Sequence, residues 1–143
     1  MNIELLGYAK LTRPANLPTA MADIMAGSSI SGLTFLMISD TSLNGPAYLN
    51  LILLIFSSVF LYGGGVVLND VFDFKIDKIE RPERPIPKGE VSLKGAALFG
   101  SGLLLSGVFL SFFVNHLSGI IAVILALTII LYDSYSKKYQ ILG

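Results

Sequence analysis

Four oxygen-bearing side chains, Asn69, Asp70, Asp73 and Asp77, fall in the run NDVFDFKID. On a helix Asn69, Asp73 and Asp77 are spaced i, i+4 and i+8, and Asp70 lies three residues before Asp73. All four then project from one stripe. Carboxylates that close together repel unless a cation neutralises them. Mg²⁺ prefers oxygen ligands, uses one or two carboxylates, and completes its shell with water and phosphate oxygens. The spacing therefore predicts a Mg²⁺-bridged diphosphate, in which the metal offsets charge developing on a leaving diphosphate. The plainer reading is a solvated helix end, with Lys75 and Lys78 pairing with the aspartates. Context favours the site, because the cluster directly follows an apolar run and ionisable groups near membrane depth are functional by default.

Arg81, Arg84 and Lys88 follow, interleaved with Pro82, Pro85 and Pro87. Prolines stiffen the loop and reduce the entropy lost on ordering it. Arginine forks suit phosphate oxygens, and Arg84, set against Pro85, is favoured over Arg81. Topology-setting charge or attraction to anionic lipid is the simpler role for the same residues, and the two are compatible. Gly63-Gly64-Gly65 is not a phosphate loop, since the Lys-Ser/Thr ending is absent, and close helix contact is the expected role.

The elements that must position these residues follow from composition. The chain has 143 residues, 53% hydrophobic and only 14% charged, with mean hydropathy +0.71. Ten basic and ten acidic residues leave no net charge, which excludes a basic nucleic-acid module. The absence of Cys excludes a thiolate metal site, and a single His, His116, makes a His-based triad or metal cluster improbable. The composition is that of a small integral membrane protein. Apolar runs predict transmembrane helices at about 17–38, 47–77, 93–114 and 117–135, with a loop at 78–92. An all-α bundle of about four helices is expected, because four strands cannot close a barrel. Every Lys and Arg precedes the first helix, lies between the second and third, or follows the fourth. The positive-inside rule then puts both termini and the acidic motif on the cytoplasmic side of the cell membrane. Asp23 falls in the first span and is expected to face a cavity or a polar partner, since an unpaired charge there costs about 2.5–3.5 kcal/mol.

The run NDVFDFKID, followed by RPERPIPKGEVS, resembles the first aspartate-rich motif of the UbiA superfamily of membrane prenyltransferases. RPAN at 13–16 is similar to the family's N-terminal RPxN, and YDSYSKK at 132–138 to the stretch closing its fourth helix. The run GGGVVLNDVFDFKIDKIERPERPIP is most similar to the EboC-type subgroup. The resemblance implies half of a nine-helix membrane fold around a cavity open to lipid. It further implies a Mg²⁺-dependent prenyltransferase, which passes an isoprenyl group from an isoprenyl diphosphate to an aromatic or other lipophilic acceptor. Asn69, Asp73 and Asp77 would be the catalytic metal-binding residues, with Asp70 as a further metal-side candidate. Asn16, Arg81, Arg84, Lys88, Tyr135, Lys137 and Lys138 would contact substrate; for Asn16 a helix cap is the competing role. The family's second aspartate motif has no counterpart in this sequence, so the chain reads as an N-terminal half. A complementary half or a homo-oligomer would complete it, and the chain alone is expected to turn over poorly. The alternative is a non-catalytic membrane subunit that binds polyprenyl diphosphate or a partner half.

Overall fold

A computed structural model describes residues 3–32 and 44–140, the side chains of 3, 44 and 136–140 excepted. Helix α1 (Ile3–Leu11) leads through a 3₁₀ turn (Pro14–Asn16) into α2 (Leu17–Ile30). Then come α3 (Asn44–Phe72), α4 (Phe74–Glu80), α5 (Leu93–Val114) and α6 (His116–Gln140). Among the described residues there is no strand. Among the described residues three helices are long and apolar enough to cross a bilayer: Gly45–Phe72, Leu93–Val114 and His116–Tyr135. Their outward faces carry Leu105, Phe109, Phe113, Leu117, Ile124 and Leu131, all largely exposed, as a lipid-facing surface requires.

Helix α2 is shorter than the expected span 17–38. The hydroxyls of Ser28 and Ser29 both reach back to the Met25 carbonyl, and Gly32 turns with φ +75°, closing the helix after Ile30. Fourteen residues make about 21 Å of helix, less than the roughly 30 Å of hydrocarbon. The remaining part of that expected span, 33–38, lies outside the described residues. Helix α1 was not anticipated. It is held by Leu11, which is fully buried with Val67, Ile86, Val91 and Ala96.

The bundle is built on α3. Its small residues let α5 approach closely: a Cβ added at Gly64 would lie 2.8 Å from the Gly100 carbonyl and 2.9 Å from the Leu104 nitrogen. Lower on the same seam, the Ser57 hydroxyl meets the Gly107 carbonyl at 2.7 Å and the Ser111 hydroxyl at 2.6 Å. These bonds satisfy polar atoms that would otherwise be costly in hydrocarbon. Ser58 ties α2 to α3 by donating to the Ala20 carbonyl at 3.0 Å. Asn115 alone separates α5 from α6; its side chain accepts from the Ser118 nitrogen at 2.8 Å, so the two helices form a tight antiparallel pair.

The segment expected as a loop at 78–92 is helical to Glu80 and then folds back on the bundle. Ile86 and Val91 are buried beneath it, and Ser92 caps α5 by accepting from the Gly95 nitrogen at 3.0 Å. Glu90 fastens this segment to α1, accepting from Lys88 at 2.6 Å and from Lys10 at 3.1 Å. Those two hydrogen bonds, Lys88's first, hold the Glu90 carboxyl below its ordinary range. With the folded value depressed, the clamp is complete above the ordinary carboxylate range and fades as pH falls through the lowered value.

The α3–α5 contact yields a direct test. Gly64→Ala should destabilise the protein by about 1–3 kcal/mol through overpacking. Gly102→Ala, on the same helix as Gly100 but with open space around it, should not. Thermal unfolding in detergent, followed by helical circular dichroism, separates the two.

Candidate functional site

Where α3 ends, the aspartate stripe divides into two groups. Helical hydrogen bonding continues through the junction, with the Asp73 nitrogen donating to the Asn69 carbonyl at 2.9 Å. The Asp73 carbonyl then accepts from both Ile76 and Asp77, at 2.9 and 2.8 Å. This shared acceptor tightens the turn and interrupts the expected single helix 47–77 at Asp73. Asp77 therefore sits on α4, within reach of Arg84 in the proline-rich segment.

The first group is an ion cluster. Asp70 and Asp77 are 5% and 2% exposed. Arg84 lies between them, its Nη1 at 3.0 Å from Asp70 Oδ1 and 2.5 Å from Asp77 Oδ2. Arg13 donates to the same Asp70 oxygen at 2.8 Å. Two carboxylates thus meet two guanidiniums, and the cluster is neutral. Arg84 is placed by the turn that follows it, in which the Pro85 carbonyl accepts from Glu90 at 2.9 Å and from Val91 at 3.2 Å, and Gly89 takes φ +79°. Arg13 has the left-handed backbone φ 48°, ψ 65° immediately before Pro14. That conformation costs a non-glycine residue about 1–2 kcal/mol, and its bond to a buried carboxylate is what holds it.

The second group joins α3 to α6. Asn69 Nδ2 donates to Asp133 Oδ1 at 3.0 Å. Asp133 is 4% exposed, and its Oδ2 is buried without a hydrogen-bond partner. Both residues line a cavity of about 500 Å³ with Arg13, Tyr62 and Tyr132, over an apolar wall that includes Val66 and Ile129.

The expected site residues are thus only partly gathered. Asp70, Asp77 and Arg84 come together; Asn69 faces the cavity from beside them, and Asp73 is half-buried at the junction. The expected single helix carrying Asn69, Asp70, Asp73 and Asp77 is interrupted at Asp73. Asp70 spends one oxygen on two arginines, and among the described residues no three acidic groups converge. Arg84 bridges two of these carboxylates, as a guanidinium does well. Arg81 is exposed and 4.0 Å from Asp77. Lys88 is committed to Glu90, away from the cluster. Asn16 is exposed, makes no capping bond and does not line the cavity. Tyr135 is 66% exposed and lies off the cavity wall. The side chains of Lys137 and Lys138 lie outside the described residues. Asp23 is exposed on α2 and forms no ion pair among the described residues.

Sequence reasoning passed over Arg13, Tyr62, Tyr132 and Asp133. The signals were present. Arg13 opens the RPAN run, and Asp133 is an acidic residue at the end of an otherwise uncharged span.

The model of the UbiA prenyltransferase family matches residues 28–143. The chain is 40% identical over 142 residues to the digeranylgeranylglyceryl phosphate synthase of Methanococcoides burtonii, covering 95% of this chain and 48% of that protein. With the protein of the same name from Thermococcus kodakarensis it shares 31% identity, covering 99% and 47%. A solved structure described as giving structural and mechanistic insights into digeranylgeranylglyceryl phosphate synthase in membranes matches with TM-score 0.77 at 36% identity, over 98% of this chain and 47% of that one. The chain spans about half the length of the curated relatives it matches. These relatives carry the synthase name, not that of the EboC-type subgroup.

The ion cluster predicts unequal roles for its arginines. Arg84→Met leaves Asp77 buried with only the distant Arg81 and should cost about 3–5 kcal/mol. Arg81→Met, at an exposed long contact, should cost less than about 1 kcal/mol. The readout is helical circular dichroism during unfolding, since the chain has no Trp.

Proposed function

The chain belongs to the UbiA prenyltransferase family, and from that premise we propose that it is the diphosphate-binding half of a Mg²⁺-dependent membrane prenyltransferase. Its donor would be an isoprenyl diphosphate and its acceptor a lipophilic molecule. The name of its relatives describes a glyceryl phosphate bearing two geranylgeranyl groups. A prenyl transfer that makes such a compound joins a geranylgeranyl group to a glyceryl oxygen, and a glyceryl alcohol is the acceptor class we favour over an aromatic one. The remaining helices would come from a longer chain, a second subunit or another copy. The acidic motif and both ends of the chain would face the cytoplasm.

The observation that carries this reading is the buried Asp70–Arg84–Asp77 cluster, set beside a largely apolar cavity. The donors are oxygens, as a hard cation requires. Asn69, Asp73 and Asp77 would hold Mg²⁺, and the ion would supply positive charge against the diphosphate leaving group. Asp70 has the different task of anchoring Arg13 and Arg84. Arg84 can exchange a carboxylate for diphosphate oxygens of the same geometry, because both accept a guanidinium fork. Leaving-group charge then meets donors already in place, which is the main way such a site lowers a barrier. The cavity wall of Val66 and Ile129 suits an isoprenyl chain, and the Tyr62 and Tyr132 rings can face a developing allylic cation.

Binding of geranylgeranyl diphosphate to the chain in lipid nanodiscs tests this. Affinity should fall at least about tenfold when Mg²⁺ is removed by EDTA, and by a similar factor in Asp73→Ala or Asp77→Ala, the loss of one charged contact. Equal binding with and without Mg²⁺ would refute the proposal.

A further inference from the structure

We propose that Asp133 receives the hydroxyl of the acceptor, a role that rests on the prenyl-transfer reading above. Three observations meet at this residue. Its Oδ2 is buried and has no hydrogen-bond partner, an arrangement that is costly unless something completes it. Its Oδ1 accepts from Asn69 at 3.0 Å, which fixes the carboxylate against the proposed diphosphate site. The residue lines a cavity whose wall is otherwise mostly apolar.

The chemistry of the missing partner follows. A lone carboxylate oxygen is an acceptor, so the partner must donate. A divalent cation would need several oxygen ligands, and among the described residues no three acidic groups converge. An ammonium would compete with Arg13, which shares the cavity. An O–H on a lipid satisfies Oδ2 with one bond and leaves the rest of the molecule against the apolar wall. Oδ2 itself is covered, so contact with the acceptor takes a local side-chain shift.

This placement gives the transfer a proton path. The acceptor oxygen forms a bond to C1 of the isoprenyl group as the C1–O bond to diphosphate breaks. The electron pair of that bond leaves with the diphosphate, and the hydroxyl proton passes to Asp133 Oδ2. Asn69 then links the two halves of the reaction, one side toward the diphosphate and the other toward the base.

The test compares two probes on the chain in nanodiscs: 1-O-hexadecylglycerol 3-phosphate, with a free 2-hydroxyl, and its 2-O-methyl ether. The wild type should bind the alcohol at least about tenfold more tightly, the effect of one hydrogen bond to a charged group. Asp133→Asn keeps an oxygen for Asn69 and turns an amide donor toward the cavity. It should bring the alcohol-to-ether ratio to within about threefold of unity, whereas a steric penalty on the methyl group would persist. A wild-type ratio near unity, or a tenfold ratio surviving in Asp133→Asn, overturns the assignment. Because the wild-type ratio stands alone, misfolding of the variant would not rescue it. Mg²⁺-dependent binding of geranylgeranyl diphosphate is measured in parallel. Its absence would defeat the prenyl-transfer reading without moving the alcohol-to-ether ratio.

Discussion

Charge buried at the end of an apolar helix has to be answered locally, and the rest of this structure is arranged around that demand. Asp70 and Asp77 are almost fully covered where α3 leaves its membrane-spanning stretch. Uncompensated, each would cost several kcal/mol. The answer comes from both sides in sequence. Arg13 arrives from the turn between α1 and α2, and Arg84 from the proline-rich segment after α4. To deliver Arg13 the backbone enters a left-handed conformation, and to deliver Arg84 the segment 81–92 folds into a tight turn over Ile86 and Val91. Packing of α1 and of that segment therefore serves the same end as the ion pairs.

Much of this was legible beforehand because membrane proteins announce their elements through hydropathy. The spans that begin at Leu93 and His116 follow from uncharged apolar runs, and the Asn69–Asp77 motif is visible as spacing alone. What could not be read was geometry that depends on partners distant in sequence. Helical periodicity puts Asp73 and Asp77 on one stripe, but it cannot show that Arg84 pairs Asp77 with Asp70, seven residues away on nearly the same helical face. The end of α2 was likewise invisible to hydropathy, since it is set by two serine hydroxyls competing for the Met25 carbonyl. Helix α1 lacks a strong amphipathic pattern and is held by burial of Leu11 against residues far along the chain. Asp133 read as a helix boundary, and only the fold reveals that its oxygen is enclosed beside Asn69.

Exchange of charge partners joins these features in the proposed reaction. An arginine that bridges two carboxylates is already in position to take up phosphate oxygens, and Asp77, which it would release, would then be in position to take up a cation. Cation and anion arriving together change the net charge of such a site little, which matters at the edge of hydrocarbon. The same economy extends to the cavity. Asn69 belongs to the acidic motif yet bonds Asp133, so donor and acceptor ends of the proposed reaction share one strut between α3 and α6.

Infrared difference spectroscopy on the chain with isotopically labelled aspartate reads that exchange most directly. Adding Mg²⁺ and geranylgeranyl diphosphate together should shift the carboxylate stretching bands, and Asp77→Asn should remove part of the shift. Diphosphate binding that leaves every aspartate band in place would contradict the account.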